Sequence, residues 1–359
     1  MLWQAVGLFA LALLCVVDGD RKPPRYRIAL ETPPHERWNQ VIDDHLDAIP
    51  GVIEETKLFV PTFLQPFVFW LTEKMIRFFP PDLAAEMKGI SLRSGLKLGE
   101  IIGLNILYDI TGFDRRHILG CTSIVAQDDK GVIWHGRNLD YAMGTLLRNI
   151  TIIVDFTRNN SVVFTTTTFA SYVGVLTGQR PGAFSLSLNA RYSGAYIDNI
   201  LMELFTLFRL PISFAVRKTL EGIESYDAAV AYLSSMHMIA PCYLAVGGVK
   251  PGEGAIITRN RWASADVWQI KSEKGRWFLL ETNYDHWKPT SDKRRKVGKD
   301  AMRALGSSKL NAKTLFGVMS VWPVMNNETI FTTVMSAGHP EVLDANTVVR
   351  TISGSGEEM

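Results

Sequence analysis

Two short stretches hold the residues whose types and spacing suit covalent chemistry: Cys121-Thr-Ser-Ile-Val-Ala-Gln and His135-Gly-Arg-Asn-Leu-Asp-Tyr141. Apolar residues on either side of Asp128-Asp129-Lys130-Gly131 predict a β-hairpin, with Thr122 to Ala126 paired to Val132 to Asn138. In such a hairpin Cys121 opens one strand and Arg137 to Asp140 close the other, so thiol, guanidinium and carboxylate are expected to meet in one small site. A thiol hydrolase needs a base near sulfur. A cysteine that becomes the chain's own N-terminus supplies one in its α-amine, whose pKa of about 8 lies well below that of lysine. Asp140 is then placed to hold the amine, and Arg137 to favour the thiolate. On spacing alone, a buried structural cysteine accounts for the same pattern.

The elements that must position these groups follow from periodicity. Residues 20–120 read mainly as helix, with apolar residues at three- and four-residue spacing over Glu36 to Ile49 and Pro81 to Ile110. Between them, Leu58 to Phe79 is crowded with aromatics, and reads either as a buried helical hairpin or as an exposed amphipathic surface for a membrane or lipid substrate. From Cys121 the period becomes that of strands. A second hairpin is expected over Ile150 to Phe156 and Val162 to Thr168, with further strands at Phe184 to Leu188, Tyr243 to Val246, Ala255 to Thr258, Trp268 to Ile270 and Trp277 to Glu281. Helices are expected at Tyr196 to Phe208, Ile212 to Glu221, Tyr226 to Ser235 and Lys313 to Met319. The pattern is that of an α+β layered architecture with antiparallel sheets and helices on their faces.

Composition narrows the class of function. The 359 residues are 47% apolar, and 38 basic residues nearly balance 36 acidic ones, for a formal charge of +2. That balance gives no support to a nucleic-acid partner, which calls for a concentrated basic stripe. The one dense basic run, Lys293-Arg294-Arg295-Lys296, reads as a solvated loop or helix start. Residues 1–19 read as a cleaved signal peptide. Its removal takes Cys15 and leaves Cys121 and Cys242, too few for a disulfide framework. Cys242 reads as a buried, unreactive thiol. Sequons at Asn149, Asn159 and Asn327 agree with the secretory route. His135 and His286 lack partners at metal-ligand spacing, so neither a metal nor an organic cofactor is expected.

The nucleophile hairpin resembles the cysteine N-terminal-nucleophile amidases of choloylglycine hydrolase type, the family that includes acid ceramidase, N-acylethanolamine acid amidase and the bile salt hydrolases. The resemblance continues through Tyr172-Val-Gly-Val-Leu-Thr-Gly178, Gly247-Gly248, Gly252-Glu-Gly254, Ile257-Thr-Arg-Asn-Arg261 and Glu281-Thr-Asn-Tyr-Asp-His-Trp-Lys-Pro289. It implies an αββα sandwich whose precursor cuts itself between Gly120 and Cys121. The products, a mainly helical α chain of residues 20–120 and a catalytic β chain of 121–359, would stay associated. The resemblance assigns Cys121 as nucleophile, Arg137 and Asp140 as positioning and polarising groups, and Asn283 as oxyanion donor. It adds Tyr141, Arg191 and Arg294 as supporting residues, Arg294 standing two residues closer to Asn283 than is usual in the family. Ala190 departs from the family pattern, which has a glutamate there, and Gly120 replaces a bulkier residue and is expected to ease a strained turn. The implied substrate is a long-chain N-acyl amide, an ethanolamide first and a ceramide second. The implied residence is the lysosome or the extracellular space. A catalytically weak lipid-binding relative is the reading from another class.

Overall fold

A computed structural model describes residues 19–111, 120–191, 210–238 and 240–351. The helix expected at Tyr196 to Phe208, residues 1–18 of the expected signal peptide 1–19 and residues 352–359 lie outside the described residues. The strands form two sheets. One has eight strands in the order β1-β4-β5-β6-β7-β8-β9-β10, and the other has five in the order β11-β2-β3-β12-β13. The larger sheet is built from β1 (Arg25–Ala29), β4 (Thr151–Arg158), β5 (Ser161–Phe169), β6 (Thr177–Arg180), β7 (Phe184–Ala190), β8 (Cys242–Gly247), β9 (Gly254–Arg259) and β10 (Ser264–Gln269). The smaller is built from β11 (Phe278–Glu281), β2 (Cys121–Gln127), β3 (Ile133–Asp140), β12 (Thr329–Met335) and β13 (Thr347–Val349).

Strand alternation explains why the sheets stack. In β7 and β8, Leu186, Leu188, Leu244 and Val246 join the large core, while Tyr243 and Ala245 cluster with Val125, Ile133 and Leu279 of the other sheet. The opposite face of the five-stranded sheet, with Ile124, Ala126, Leu280 and Val334, is covered by Met302, Leu305, Leu315 and Met319. These come from the helices Lys293–Leu305 and Ala312–Met319. Helices therefore cover sheets that pack face to face, which is the αββα sandwich.

The N-terminal segment is less uniformly helical than its periodicity predicts. Its first element is β1, which pairs parallel to β4 and so ties the start of the chain into the large sheet. The helix expected over Glu36 to Ile49 is in fact a 3₁₀ turn (Pro34–Glu36), α1 (Asn39–Asp43) and then α2 (Ile49–Lys57). Pro50 stands in the first turn of α2, where its missing N–H costs nothing and where it starts a new helix. The helix expected over Pro81 to Ile110 is two, α4 (Pro81–Ser94) and α5 (Leu98–Thr111), because Gly95 caps the first with φ 72° in the left-handed region. Between them α3 (Gln65–Met75) presents Phe67 and Trp70 to solvent, 58% and 54% exposed, while Thr72 and Met75 are buried. Leu58 to Phe79 is thus a half-exposed amphipathic element and not a buried hairpin. Toward the C-terminus come α6 (Gly144–Asn149), α7 (Ile212–Gly222), α8 (Tyr226–Ser235), α9 (Lys293–Leu305), α10 (Ala312–Met319) and α11 (Val342–Ala345).

Candidate active site

The β2–β3 hairpin sets the site, with Cys121 opposite Leu139 and Ser123 opposite Arg137. Paired residues share a face and neighbours along a strand alternate, so Arg137 lies on the Cys121 side and Asp140 on the other. The two charged groups of the expected site thus leave β3 on opposite faces of the hairpin. Arg137 is fully buried and turns toward the large sheet, donating to Leu188 O at 2.7 Å, to Ser123 Oγ at 3.4 Å and to Asn189 Oδ1. Asp140 accepts from Thr329 Oγ1 at 2.8 Å, Asn326 Nδ2 at 3.1 Å and Arg294 Nη1 at 3.1 Å.

Arg294 joins the two halves of the site. Beyond its ion pair with Asp140, it donates from Nη1 to Cys121 O at 3.3 Å and from Nη2 to Asn283 Oδ1 at 2.9 Å. Its guanidinium is held on the other edge by Asp292, which also caps the first turn of α9. The basic run that contains it is therefore a helix start, with Arg294 and Arg295 turned inward and Lys296 exposed.

Asn283 orients Cys121. The Cys121 N–H donates to Asn283 Oδ1 at 3.0 Å, and Asn283 Nδ2 donates to Ala190 O at 2.8 Å. Asn283 therefore presents an acceptor to Cys121, and its donor, expected for an oxyanion, is engaged by the Ala190 carbonyl. Cys121 itself is completely buried. The Gly120 carbonyl accepts from the Asp140 backbone N–H at 2.9 Å. A Cβ on Gly120 would lie 2.7 Å from Asp140 Oδ2 and 2.9 Å from Arg294 Nη1, so glycine makes room for that ion pair. Gly120 is not among the residues with positive φ. Space, and not the turn strain expected from the sequence, accounts for it.

The remaining expected residues sit around this centre. Tyr141 is buried, and its N–H donates to Glu328 O at 2.9 Å. With Leu104, Leu107, Met143, Leu147, Phe169 and others its ring lines a narrow apolar cavity of about 30 Å³. Arg191 grips Asp285 through two bonds of 2.7 and 3.0 Å and so braces the segment after Asn283. Burial opposes ionisation of Asp285, but hydrogen bonds from Arg191, Lys288 and Tyr243 outweigh it and hold the carboxyl at about 2.

Three groups have more structural standing than sequence reasoning gave them. Asn189 and Ser123 form the polar bridge between the sheets, Ser123 Oγ meeting Ser187 Oγ at 2.8 Å and Asn189 Oδ1 at 2.7 Å. His135 extends the bridge between Ser185 and Ser187 at 2.9 and 2.8 Å, and burial, reinforced by Arg137, pushes its pKa down to about 3. The ring is neutral and structural. Glu281, fully buried beside Ser123, is the third. A period-two pattern would have placed Ser123 and Asn189 on inward faces, but nothing in sequence shows that those faces meet. Cys242 is a buried thiol whose Sγ lies 3.7 Å from Met238 Sδ. Among the described residues no group of His, Cys, Asp and Glu is arranged to hold a metal ion.

Residues 121–317 match the family of linear amide C-N hydrolases, choloylglycine hydrolase family, and residues 21–79 match the beta subunit of N-acylethanolamine-hydrolyzing acid amidase. The chain is 52% identical over 346 residues to the N-acylethanolamine-hydrolyzing acid amidase of Caenorhabditis elegans, covering 96% of this chain and 97% of that protein. To the rabbit (Oryctolagus cuniculus) protein of the same name it is 43% identical, with 89% and 88% covered. To acid ceramidase of Homo sapiens it is 36% identical, with 87% and 83% covered. A solved structure of a C. elegans N-acylethanolamine-hydrolyzing acid amidase ortholog aligns with TM-score 0.61 and 49% identity, covering 64% of this chain and all of that one. With the sandwich, the cysteine-headed strand and these relatives in agreement, the chain belongs to the choloylglycine hydrolase family of linear amide C-N hydrolases and is an amide hydrolase.

Proposed function

We propose that the precursor cuts itself between Gly120 and Cys121, and that the matured protein hydrolyses long-chain N-acylethanolamines to fatty acid and ethanolamine. One observation carries this reading. The peptide group before Cys121 has its carbonyl oxygen on the Asp140 N–H and its nitrogen on Asn283, with Arg294 on the next carbonyl. A hydrogen-bonded carbonyl is polarised toward attack. Cys121 Sγ adds to the Gly120 carbonyl carbon, the C–N bond breaks as the thiol proton passes to the departing nitrogen, and water hydrolyses the resulting thioester. The products are a Gly120 carboxylate and a free Cys121 thiol with its own α-amine.

In turnover that amine takes the thiol proton as sulfur adds to the substrate amide carbon. It returns the proton to the ethanolamine nitrogen as the C–N bond breaks, and water then releases the fatty acid from the thioester. Once Cys121 N–H is an amine and no longer a peptide donor, Asn283 is free to reorient its amide toward the oxyanion. The apolar cavity beside Tyr141 is the expected acyl site. At about 30 Å³ it is far below the roughly 300 Å³ of a usual ligand pocket, so it must widen in the cut protein.

Two-chain maturation is supported by the match of residues 21–79 to a subunit, and by a solved relative whose whole length covers 64% of this chain, close to the share of residues 121–359. Asn149, Asn159 and Asn327 are exposed, as glycan acceptors in a secretory or lysosomal protein must be, and residues 1–19 would be the leader. No described helix is long and apolar enough to cross a membrane. Phe63, Phe67 and Trp70 project from the N-terminal segment and would meet a lipid surface.

The acid ceramidase relatives make ceramide the second reading. The test is the mass and N-terminus of purified protein, with Cys121→Ala alongside, followed by hydrolysis of palmitoylethanolamide against a short-chain ceramide. A fragment starting at Cys121 in the parent alone, with faster ethanolamide hydrolysis, is expected. A strong ceramide preference reverses the order of substrates, and an uncut, inactive parent favours a lipid-binding protein.

A further inference from the structure

Glu281 closes β11 two residues before Asn283 and is completely buried. Its Oε1 accepts from the Thr282 N–H at 3.0 Å and from Arg295 Nη2 at 3.3 Å. Its Oε2 has no hydrogen-bond partner among the described residues, and neither has Arg295 Nε. The two idle atoms thus belong to the same carboxyl–guanidinium contact. The other contacts of Arg295 run to the carbonyls of Tyr284, Asp285 and Lys288, the segment that directly follows Asn283. The backbone at Glu281 and Thr282 is fixed from the far sheet by Asn189 Nδ2, which donates to both carbonyls at 3.1 and 2.8 Å.

We infer that Glu281 is a positioning residue for Asn283: as a neutral acid it leaves Arg295 holding the 284–288 segment, and on ionising it draws Arg295 into a two-pronged pair that releases that segment. A buried carboxylate demands full compensation, whereas a neutral carboxyl does not. The idle Nε, next to the Nη2 already in contact, completes the fork geometry that carboxylates favour. Other charges around Glu281 do not serve this purpose. Lys299 on α9 is half-buried, with its own pKa lowered by burial and by Arg295. Asp285, held by Arg191, Tyr243 and Lys288, only adds negative charge, and His286 is stacked on Trp268 beside Asp266. On the neighbouring hairpin, Arg137 is spent on Asn189 and the Leu188 carbonyl. Burial lifts the Glu281 pKa to about 8 against the pull of Arg295, which places the neutral form at acid and neutral pH. Ala190 contributes no titratable group.

The inference rests on Cys121 and Asn283 forming the reacting centre. Its consequence is a loss of self-cleavage and turnover on the alkaline side. Deprotonation of the Cys121 amine works in the opposite direction, since it frees the base, so the falling limb needs another group.

The experiment follows self-cleavage rate and palmitoylethanolamide hydrolysis from about pH 5 to about pH 9 in the parent, Glu281→Gln and Glu281→Ala, with Cys121→Ala as control. Glutamine imitates the neutral acid. Glu281→Gln is expected to match the parent at acid pH and to lack the alkaline fall of about tenfold per pH unit, through kcat with little change in KM. Glu281→Ala, which releases both Thr282 and Arg295, is expected to be slow at every pH. Coincident profiles for parent and Glu281→Gln would overturn the inference, as would a folded Glu281→Gln as slow as Glu281→Ala throughout. If Cys121→Ala still cut itself or turned over substrate, the underlying reading of the site would fail instead.

Discussion

Removing the Glu86 carboxylate is expected to cost about 4 kcal/mol and to loosen the attachment of residues 20–120 to the rest. Glu86 lies on α4, wholly buried. Its Oε1 accepts from Arg37 Nη1 at 2.9 Å and Arg217 Nη2 at 2.6 Å, and its Oε2 from Trp38 Nε1 at 2.8 Å and Arg217 Nη1 at 2.6 Å. Arg217 comes from α7, across the proposed cleavage point, and is itself fully buried. Its other contacts are a hydrogen bond to Val173 O at 2.7 Å and a longer ion pair from Nε to Glu221 Oε2 at 3.9 Å. Arg37 keeps two carbonyl partners, Thr32 and Leu30, and the Asp82 carboxylate at 3.5 Å, so the charge that loses most is Arg217, whose remaining carboxylate, Glu221, is 3.9 Å away. Leaving a buried ion without its counter-ion costs about 3–5 kcal/mol, and about 4 kcal/mol is roughly a thousandfold in the folding equilibrium. Glu86→Gln discriminates this account from simple space filling. Both carboxylate oxygens face two donors, so the glutamine NH₂ meets N–H groups whichever way it is placed, and the loss should approach that of Glu86→Ala. The assay is the urea midpoint in a Cys121→Ala background, which keeps one continuous chain. In self-cleaved Glu86→Ala the two fragments should also separate during gel filtration. A Glu86→Gln variant within about 1 kcal/mol of the parent would refute the reasoning, because a buried guanidinium left with only a 3.9 Å contact to the half-buried Glu221 cannot be that cheap.

His135 predicts a pH dependence of stability. The folded protein keeps the ring neutral down to about 3, whereas the unfolded chain protonates it near 6.5, so stability is lost as pH falls below about 6.5 at up to about 1.4 kcal/mol per unit. Urea midpoints between about pH 6.5 and about pH 4 should fall less steeply in His135→Gln, again on Cys121→Ala; equal slopes would show that the ring is charged in the fold. For the α3 aromatics, Phe67→Asp with Trp70→Asp should weaken binding to phospholipid vesicles while leaving the urea midpoint within about 0.5 kcal/mol, since both side chains are exposed. Unchanged vesicle binding would remove this face as the contact.

How much of the site was legible depended on sequence distance. The hairpin was local: its turn residues and alternation placed Cys121 at a strand start and Arg137 on the partner strand, and the structure has both. Alternation also contained the warning that Arg137 and Asp140 take opposite faces, because three residues is an odd step along a strand. Helix boundaries in the N-terminal segment were misread within Glu36 to Ile49, where α1 ends at Asp43 and α2 starts only at Ile49, and at Gly95. The 3.6-residue periodicity persisted across both breaks, while at Gly95 the left-handed backbone did not permit a continuous helix. β1 was missed because five residues of mixed burial carry no clear alternation.

By itself the sequence determined the α+β class, the cysteine-headed hairpin, the amide-hydrolase family and the set of residue types at the site. Only the tertiary structure decided how they combine: that Arg294 joins Asp140 to Asn283, that Asn283 faces Cys121 as an acceptor, and that Gly120 leaves room for the ion pair. The contact from Cys121 to Asn283 crosses 162 positions, and that from Arg294 to Asp140 crosses 154. Local propensity does not act over such separations. These contacts exist because two sheets bury their inner faces against each other, and once the faces meet, each buried donor and charge must be matched from whatever strand lies opposite.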